Sequence, residues 1–144
     1  MARSTKLTVT KLQRRFNKLI RSDGNETSCI TCGRVEGKMD AGHFMATGSH
    51  PSVRFDTRNV HKQCSTCNQS GSGEGAYYYE WMLDAYGANV INELKREGRR
   101  PIKWSQTRLQ RILDLIKEGE REVKEYGYLV DEIKVSDYAG EEWD

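Results

Sequence analysis

No stretch of this chain approaches the roughly 18 consecutive apolar residues of a membrane-spanning helix. Its N-terminal segment also lacks the apolar run and small-residue cleavage site of a secretory leader. Membrane and secreted classes are set aside, and a cytoplasmic protein is expected. Internal repeats and low-complexity tracts are absent, which excludes solenoids and linker-like chains. Aromatic residues make up only 9% and hydrophobic residues 36% of the 144 positions, so one small domain with a modest core is expected. A domain of that size carrying a long loop often needs a staple such as a bound metal. Cysteine is scarce: four residues form two C-x-x-C units, CITC at 29–32 and CSTC at 64–67. Acid is missing altogether from residues 1–22, which carry seven lysines and arginines.

The charge that is present is distributed unevenly. Net charge is only +2, yet residues 131–144 hold six acids against Lys134, opposite in sign to the start of the chain. A basic arm suits a polyanion such as DNA, and Arg14, Arg15 and Lys18 are its candidate contacts. The alternative is the solvated face of an amphipathic helix.

Four segments follow from pattern. Residues 1–26 read as a basic N-terminal helix, with a capping box at 10–13 and Leu12, Phe16, Leu19 and Ile20 on one face. Residues 27–75, rich in Gly, Ser, Thr, Cys and His, contain two candidate strands at 38–44 and 59–63, separated by a loop with Gly48 and Pro51. Residues 76–127 read as helical, with a break at Gly87. Trp104-Ser105 then opens a long helix bearing Leu109, Ile112, Leu113, Ile116 and Val123 along one side. Residues 128–144 form an acidic tail, expected to be loosely held.

The cysteines are the strongest signal. Each C-x-x-C unit can grip a metal from a tight turn, and two complete the four-thiolate set of a structural zinc site: Cys29, Cys32, Cys64 and Cys67. Two disulfides, the alternative, sit poorly with a reducing cytoplasm. The separation of Cys32 from Cys64 exceeds zinc-ribbon spacing, so something is inserted between the knuckles. A zinc held by four thiolates is saturated, and any catalysis must come from that insert. It contains DAGHF at 40–44 and RNVHKQC at 58–64. Asp40 offers a hard-metal ligand, His43 a base near neutral pH, and Asn68, directly after Cys67, a second oxygen ligand for Mg²⁺ or Mn²⁺. These are parts of a metal-assisted phosphodiesterase.

His43, Asn59 sixteen residues on and Asn68 nine further resemble the H-N-N form of the HNH, or ββα-metal (His-Me finger), nuclease motif. CITCGRVEGKMDAGHF, RFDTRNVHKQCSTCN and YYYEWMLDAYG resemble the phage NinG recombination protein family, which includes the Rap junction nuclease, over residues 11–126. The cysteine frame is also similar to that of the phage endonuclease VII enzymes, where an Asn after the last cysteine is a metal ligand. The resemblance implies an α+β fold: a zinc-stapled ββα-metal core with flanking helices, His43 ending the first strand and Asn68 opening the helix. It implies a catalytic pair, with His43 the base and Asn59 orienting its loop. The implied substrate is DNA, branched as in Holliday junctions or D-loops, cut in a bacterial host; no small-molecule substrate is implied. Symmetrical cutting would suit a homodimer, for which the helix at 106–126 is the expected interface.

Where many HNH enzymes carry an acid or histidine before the catalytic histidine, this chain has Gly42. In a regular strand Asp40 and His43 face opposite ways, so a bulge at Gly42 is expected to bring them together. His61 is an alternative base or a hydrogen-bonded structural residue, and His50 a loop residue near DNA. Arg54 and Arg58 are candidate phosphate contacts, and Glu74 an outer group of the site. The rival reading is a non-catalytic zinc module that binds DNA or a recombination partner. A sequence-specific homing or restriction-type nuclease fits less well, since no separate recognition domain is visible.

Overall fold

Thr8, in extended backbone, starts the first helix: its hydroxyl accepts from the Lys11 backbone N–H at 3.2 Å, two residues before the expected Thr10 cap. The computed structural model describes residues 6–69 and 74–140. Residues 1–5 of the basic arm, the Glu74 side chain and residues 141–144 of the acidic tail lie outside that description. The first helix, α1 (Val9–Ser22), buries Leu12, Phe16, Leu19 and Ile20, the face its 3.6-residue period marks.

Strands β1 (Met39–His43) and β2 (Val60–Cys64) form an antiparallel two-stranded sheet, one residue off the expected bounds. The register runs without interruption, pairing Asp40 with Gln63, Gly42 with His61 and His43 with Val60. The period of two puts Asp40, Gly42, His61 and Gln63 on one face, and Ala41, His43 and Val60 on the other. Helix α1 covers the second face. A short helix, α2 (Ser65–Gln69), leaves directly from β2, and α3 (Glu74–Ala85) covers the first face. There the Tyr78 hydroxyl donates to the Gly42 carbonyl at 2.7 Å, and the Trp81 ring lies 4.5 Å from that of His61.

Gly87, at φ 90°, makes the break between α3 and α4 (Ala88–Arg99). Ser105 caps α5 (Gln106–Tyr126) by accepting from the Arg108 backbone N–H. Leu109, Ile112 and Ile116 of α5 are buried in the core with Phe16 and Met82. Leu113 and Val123 of the same stripe are half-buried against this core. Among the described residues no helix is long and apolar enough to cross a membrane.

The expectation of a loose tail is corrected for residues 129–140. Leu129, Ile133, Val135 and Tyr138 are buried, the last two in α6 (Val135–Ala139). The segment is tied to the loop before β2: Thr57 N–H donates to the Ile133 carbonyl, Val135 N–H to Asp56 Oδ2, and the Tyr138 hydroxyl to the Ser52 carbonyl. Its acids misled because Glu122 and Asp23, elsewhere in the chain, accept the backbone N–H groups of residues 129–131. Tyr138→Ala should therefore cost about 3–5 kcal/mol, the range for emptying a large buried aromatic site. Urea unfolding at unchanged slope would measure it, and a loss under 1 kcal/mol would contradict the docking.

Candidate functional site

The first knuckle is built by backbone: Cys29 N–H donates to the Arg34 carbonyl, Gly33 N–H to the Cys29 carbonyl, and Ile30 N–H to the Lys62 carbonyl of β2. Cys64 ends β2 and Cys67 lies in α2, so the second knuckle is the turn from strand to helix. All four cysteines are free thiols whose sulfurs lie within 4.8 Å of one another, with Cys32 and Cys64 at 3.8 Å. Tetrahedral zinc with Zn–S near 2.3 Å requires sulfurs about 3.8 Å apart, so the set fits one zinc ion. Burial works against the Cys29 thiolate, but backbone N–H groups of Cys32, Cys64 and Thr31 bring its pKa down to about 6.

Beside this cluster the Asn68 amide donates to Asp40 Oδ2 at 3.2 Å, joining α2 to β1. Asp40 is half-buried and Asn68 exposed, so both reach solvent. The structure thus brings together the two expected oxygen ligands. It does not bring His43 to them. No bulge forms at Gly42, because the Gln63 side chain occupies the space above its Cα: a Cβ there would lie 1.9 Å from Gln63 Oε1. Asp40 and His43 leave β1 from opposite faces, which corrects the expected convergence.

His43 is half-buried at the end of β1, its Nε2 3.1 Å from the Arg54 carbonyl and 3.4 Å from the Gln13 amide nitrogen of α1. A carbonyl can only accept, so the Arg54 bond puts the proton on Nε2 and leaves the Nδ1 lone pair without a hydrogen-bond partner among the described residues. Burial lowers the His43 pKa from 6.5, against the bond to Arg54 and with the Arg54 charge, so the ring is neutral at pH 7. Asn59 is fully buried; its amide accepts from Met45 N–H at 2.8 Å and donates to the Met45 and Val53 carbonyls. It clamps the 45–58 loop onto the strand end that carries His43.

His61 is buried among Tyr78, Trp81 and Tyr86. Its Nε2 bonds the Arg58 carbonyl and its Nδ1 meets Glu26, so it has no nitrogen to offer a substrate. His50 turns its ring against Gly98 of α4 rather than outward. Arg58 is corrected outright. It is 5% exposed and ion-paired with Asp56, Glu93 and Glu97, and cannot meet a phosphate. Arg54 is half-buried, its Nε donating to Gln13 Oε1 at 2.7 Å, and no carboxylate among the described residues pairs with it. Arg15 is bound at two points by Glu120, which cancels its charge. Lys11, Arg14, Lys18 and Arg21 have no such partner among the described residues and form an exposed stripe at helical spacing along α1.

Sequence reasoning missed Gln13, Glu26 and Gln63. Gln63 alone left a signal, its shared strand parity with Asn59 and His61. The other two come from segments whose approach to the hairpin only the fold decides.

Residues 2–126 match the family described as bacteriophage lambda NinG protein. The chain belongs to the NinG family. It is 34% identical over 98 residues to protein ninG of Salmonella phage P22 and 33% identical over 98 residues to protein ninG of Escherichia phage lambda. Each match takes in 67% of this chain and 48% of the relative, so the chain spans about half the length of the curated relatives it matches. No solved structure matches it. The NinG segment ends where α5 ends and includes the cysteine cluster, the hairpin and α1, leaving out the 129–140 brace.

The sulfur geometry predicts one zinc per chain in metal analysis of purified protein. Cys29→Ser or Cys64→Ser should lose the zinc and unfold the hairpin together, because the metal's binding energy is folding energy. Folded protein without zinc would refute this.

Proposed function

We propose that this chain is a metal-dependent DNA endonuclease of the HNH class, acting on branched recombination intermediates such as Holliday junctions or D-loops. The observation that carries the proposal is His43, a neutral imidazole whose Nε2 is engaged by the Arg54 carbonyl and whose Nδ1 has no hydrogen-bond partner among the described residues. In that tautomer Nδ1 takes a proton from water attacking phosphorus, a role worth about 10²–10⁴ in rate. Asn59 does not react; by holding Met45 and Val53 it fixes the loop whose carbonyl sets the tautomer. Asp40 and Asn68 supply an all-oxygen donor pair suited to Mg²⁺ or Mn²⁺. Such an ion, when bound, neutralises charge on the phosphate and the leaving 3′ oxygen. The unmatched stripe of α1 gives the DNA backbone a place to lie. The branched substrate rests on the resemblance to the junction nuclease of the family.

His43→Ala should lower cleavage at least ~100-fold at constant DNA binding. In the wild type the acid limb of the pH–rate profile should fall below pH 6.5, since the base works only when neutral and its pKa is held down. His61→Ala should instead lower stability. Cleavage by His43→Ala at the wild-type rate ends this reading.

One observation favours a second reading, a non-catalytic zinc module that binds DNA: Asp40 and His43 sit on opposite faces of β1. Incubation with branched and linear DNA under Mg²⁺, Mn²⁺ or EDTA separates the two, since a module binds and never cuts. Under either reading α1 is the DNA contact. It cannot simply be deleted, because Leu12 and Phe16 belong to the core. Replacing Lys11, Arg14 and Lys18 with Gln should reduce the slope of log affinity against log salt by about 2–3, at roughly 0.9 per phosphate contact. An unchanged slope would make the stripe a solvated face.

A further inference from the structure

Three side-chain oxygens gather on the face of β1 turned away from His43. The Asp40 carboxylate is one, and Asn68, having given its amide N–H to Asp40, turns Oδ1 toward Gly42. The third is Gln63 Oε1: a Cβ on Gly42 would lie 1.9 Å from it and 3.1 Å from Asn68 Oδ1, so both oxygens converge over the same Cα. Gln63 is directly opposite Asp40 in the sheet and 4% exposed, so its amide is held rather than free to swing. What holds it is Thr31, between the first two cysteines, whose hydroxyl accepts from Gln63 Nε2 at 2.7 Å. With the amide nitrogen committed to the knuckle, the carbonyl oxygen must point the other way, toward Asp40 and Asn68. No N–H or O–H among the described residues donates to Gln63 Oε1 or Asn68 Oδ1. Oxygens that converge without donors suit a hard divalent cation, and Asp40 and Asn68 leave the group open to solvent.

We propose that Gln63 is a third oxygen ligand of a divalent cation held with Asp40 and Asn68, and that Thr31 of the first cysteine knuckle aims it. The inference rests on the metal-dependent reading above and adds a dependence: the zinc knuckle positions a ligand of the second metal site. Thr31 is a positioning residue, since it touches Gln63 and not the cation. Gly42, which breaks the nuclease pattern, is needed here because any side chain would displace the Gln63 oxygen.

The test is Mn²⁺ titration of the zinc-loaded full chain without DNA, followed by electron paramagnetic resonance of free Mn²⁺. Zinc content and circular dichroism check that each variant is folded. Gln63→Ala should weaken Mn²⁺ at least tenfold, Gln63→Glu should keep or tighten it, and Thr31→Val should weaken it severalfold at unchanged zinc. His43→Ala should leave it unaltered. Wild type that binds Mn²⁺ while Gln63→Ala binds it equally well overturns the inference and leaves the nuclease reading standing. Wild type that binds no Mn²⁺ overturns both. If Gln63→Ala misfolds, Gln63→Glu and Thr31→Val decide: weaker binding by the first, or unchanged binding by the second, counts against the proposal.

Discussion

A two-stranded hairpin is marginal by itself in water, and the rest of this fold answers that constraint. At one end of β1 and β2 the four cysteines tie the chain before the hairpin to the turn after it. At the other end the buried Asn59 amide ties the intervening loop to the strand. Between them α1 and α3 cover the two faces, and the first knuckle meets the outer edge of β2 through Ile30 N–H and the Lys62 carbonyl, so the small sheet acquires a rigid setting. Without the thiol cluster the CITC turn would keep only its backbone bonds, and Thr31 would no longer be fixed beside Gln63.

The 52–59 loop depends on a second device, the buried Arg58. Its guanidinium draws Asp56, Glu93 and Glu97 inward, at a desolvation cost that three carboxylates offset. Burial lifts the Glu97 carboxyl to about 7 even beside that arginine. Asp56 in turn accepts the Val135 backbone N–H, and residues 129–140 lie along the loop from the far side. The loop that presents the Arg54 carbonyl to His43 is thus held by charge, by α4 and by α6 together. The carbonyl that sets the His43 tautomer is thereby fixed.

The elements were largely legible. The α1 stripe, the break at Gly87 and the apolar side of α5 are local periodicities, and each appeared near its expected place. What misled were residues whose meaning depends on a partner. Arg58 looks like a phosphate contact until three acids surround it, and Arg15 until Glu120 grips it. The 129–140 segment reads as part of a solvated tail because residues 131–144 carry six acids and the apolar Leu129, Ile133, Val135 and Tyr138 follow no clear period. In each case the sequence shows a charge but not its counter-charge.

The four cysteines of a cluster that could hold zinc were legible in sequence alone, because C-x-x-C spacing is set within a single turn and needs no distant residue. The α+β class and the helical faces were determined in the same way, by periods of two and 3.6. Which face of β1 each side chain occupies was decided only in the tertiary structure. A uniform register, kept by Gln63 above Gly42, sends Asp40 to Asn68 and His43 to Gln13 and Arg54. Local spacing cannot carry that information, since a single bulge would have reversed it and the side chain that leaves no room for one comes from the opposite strand.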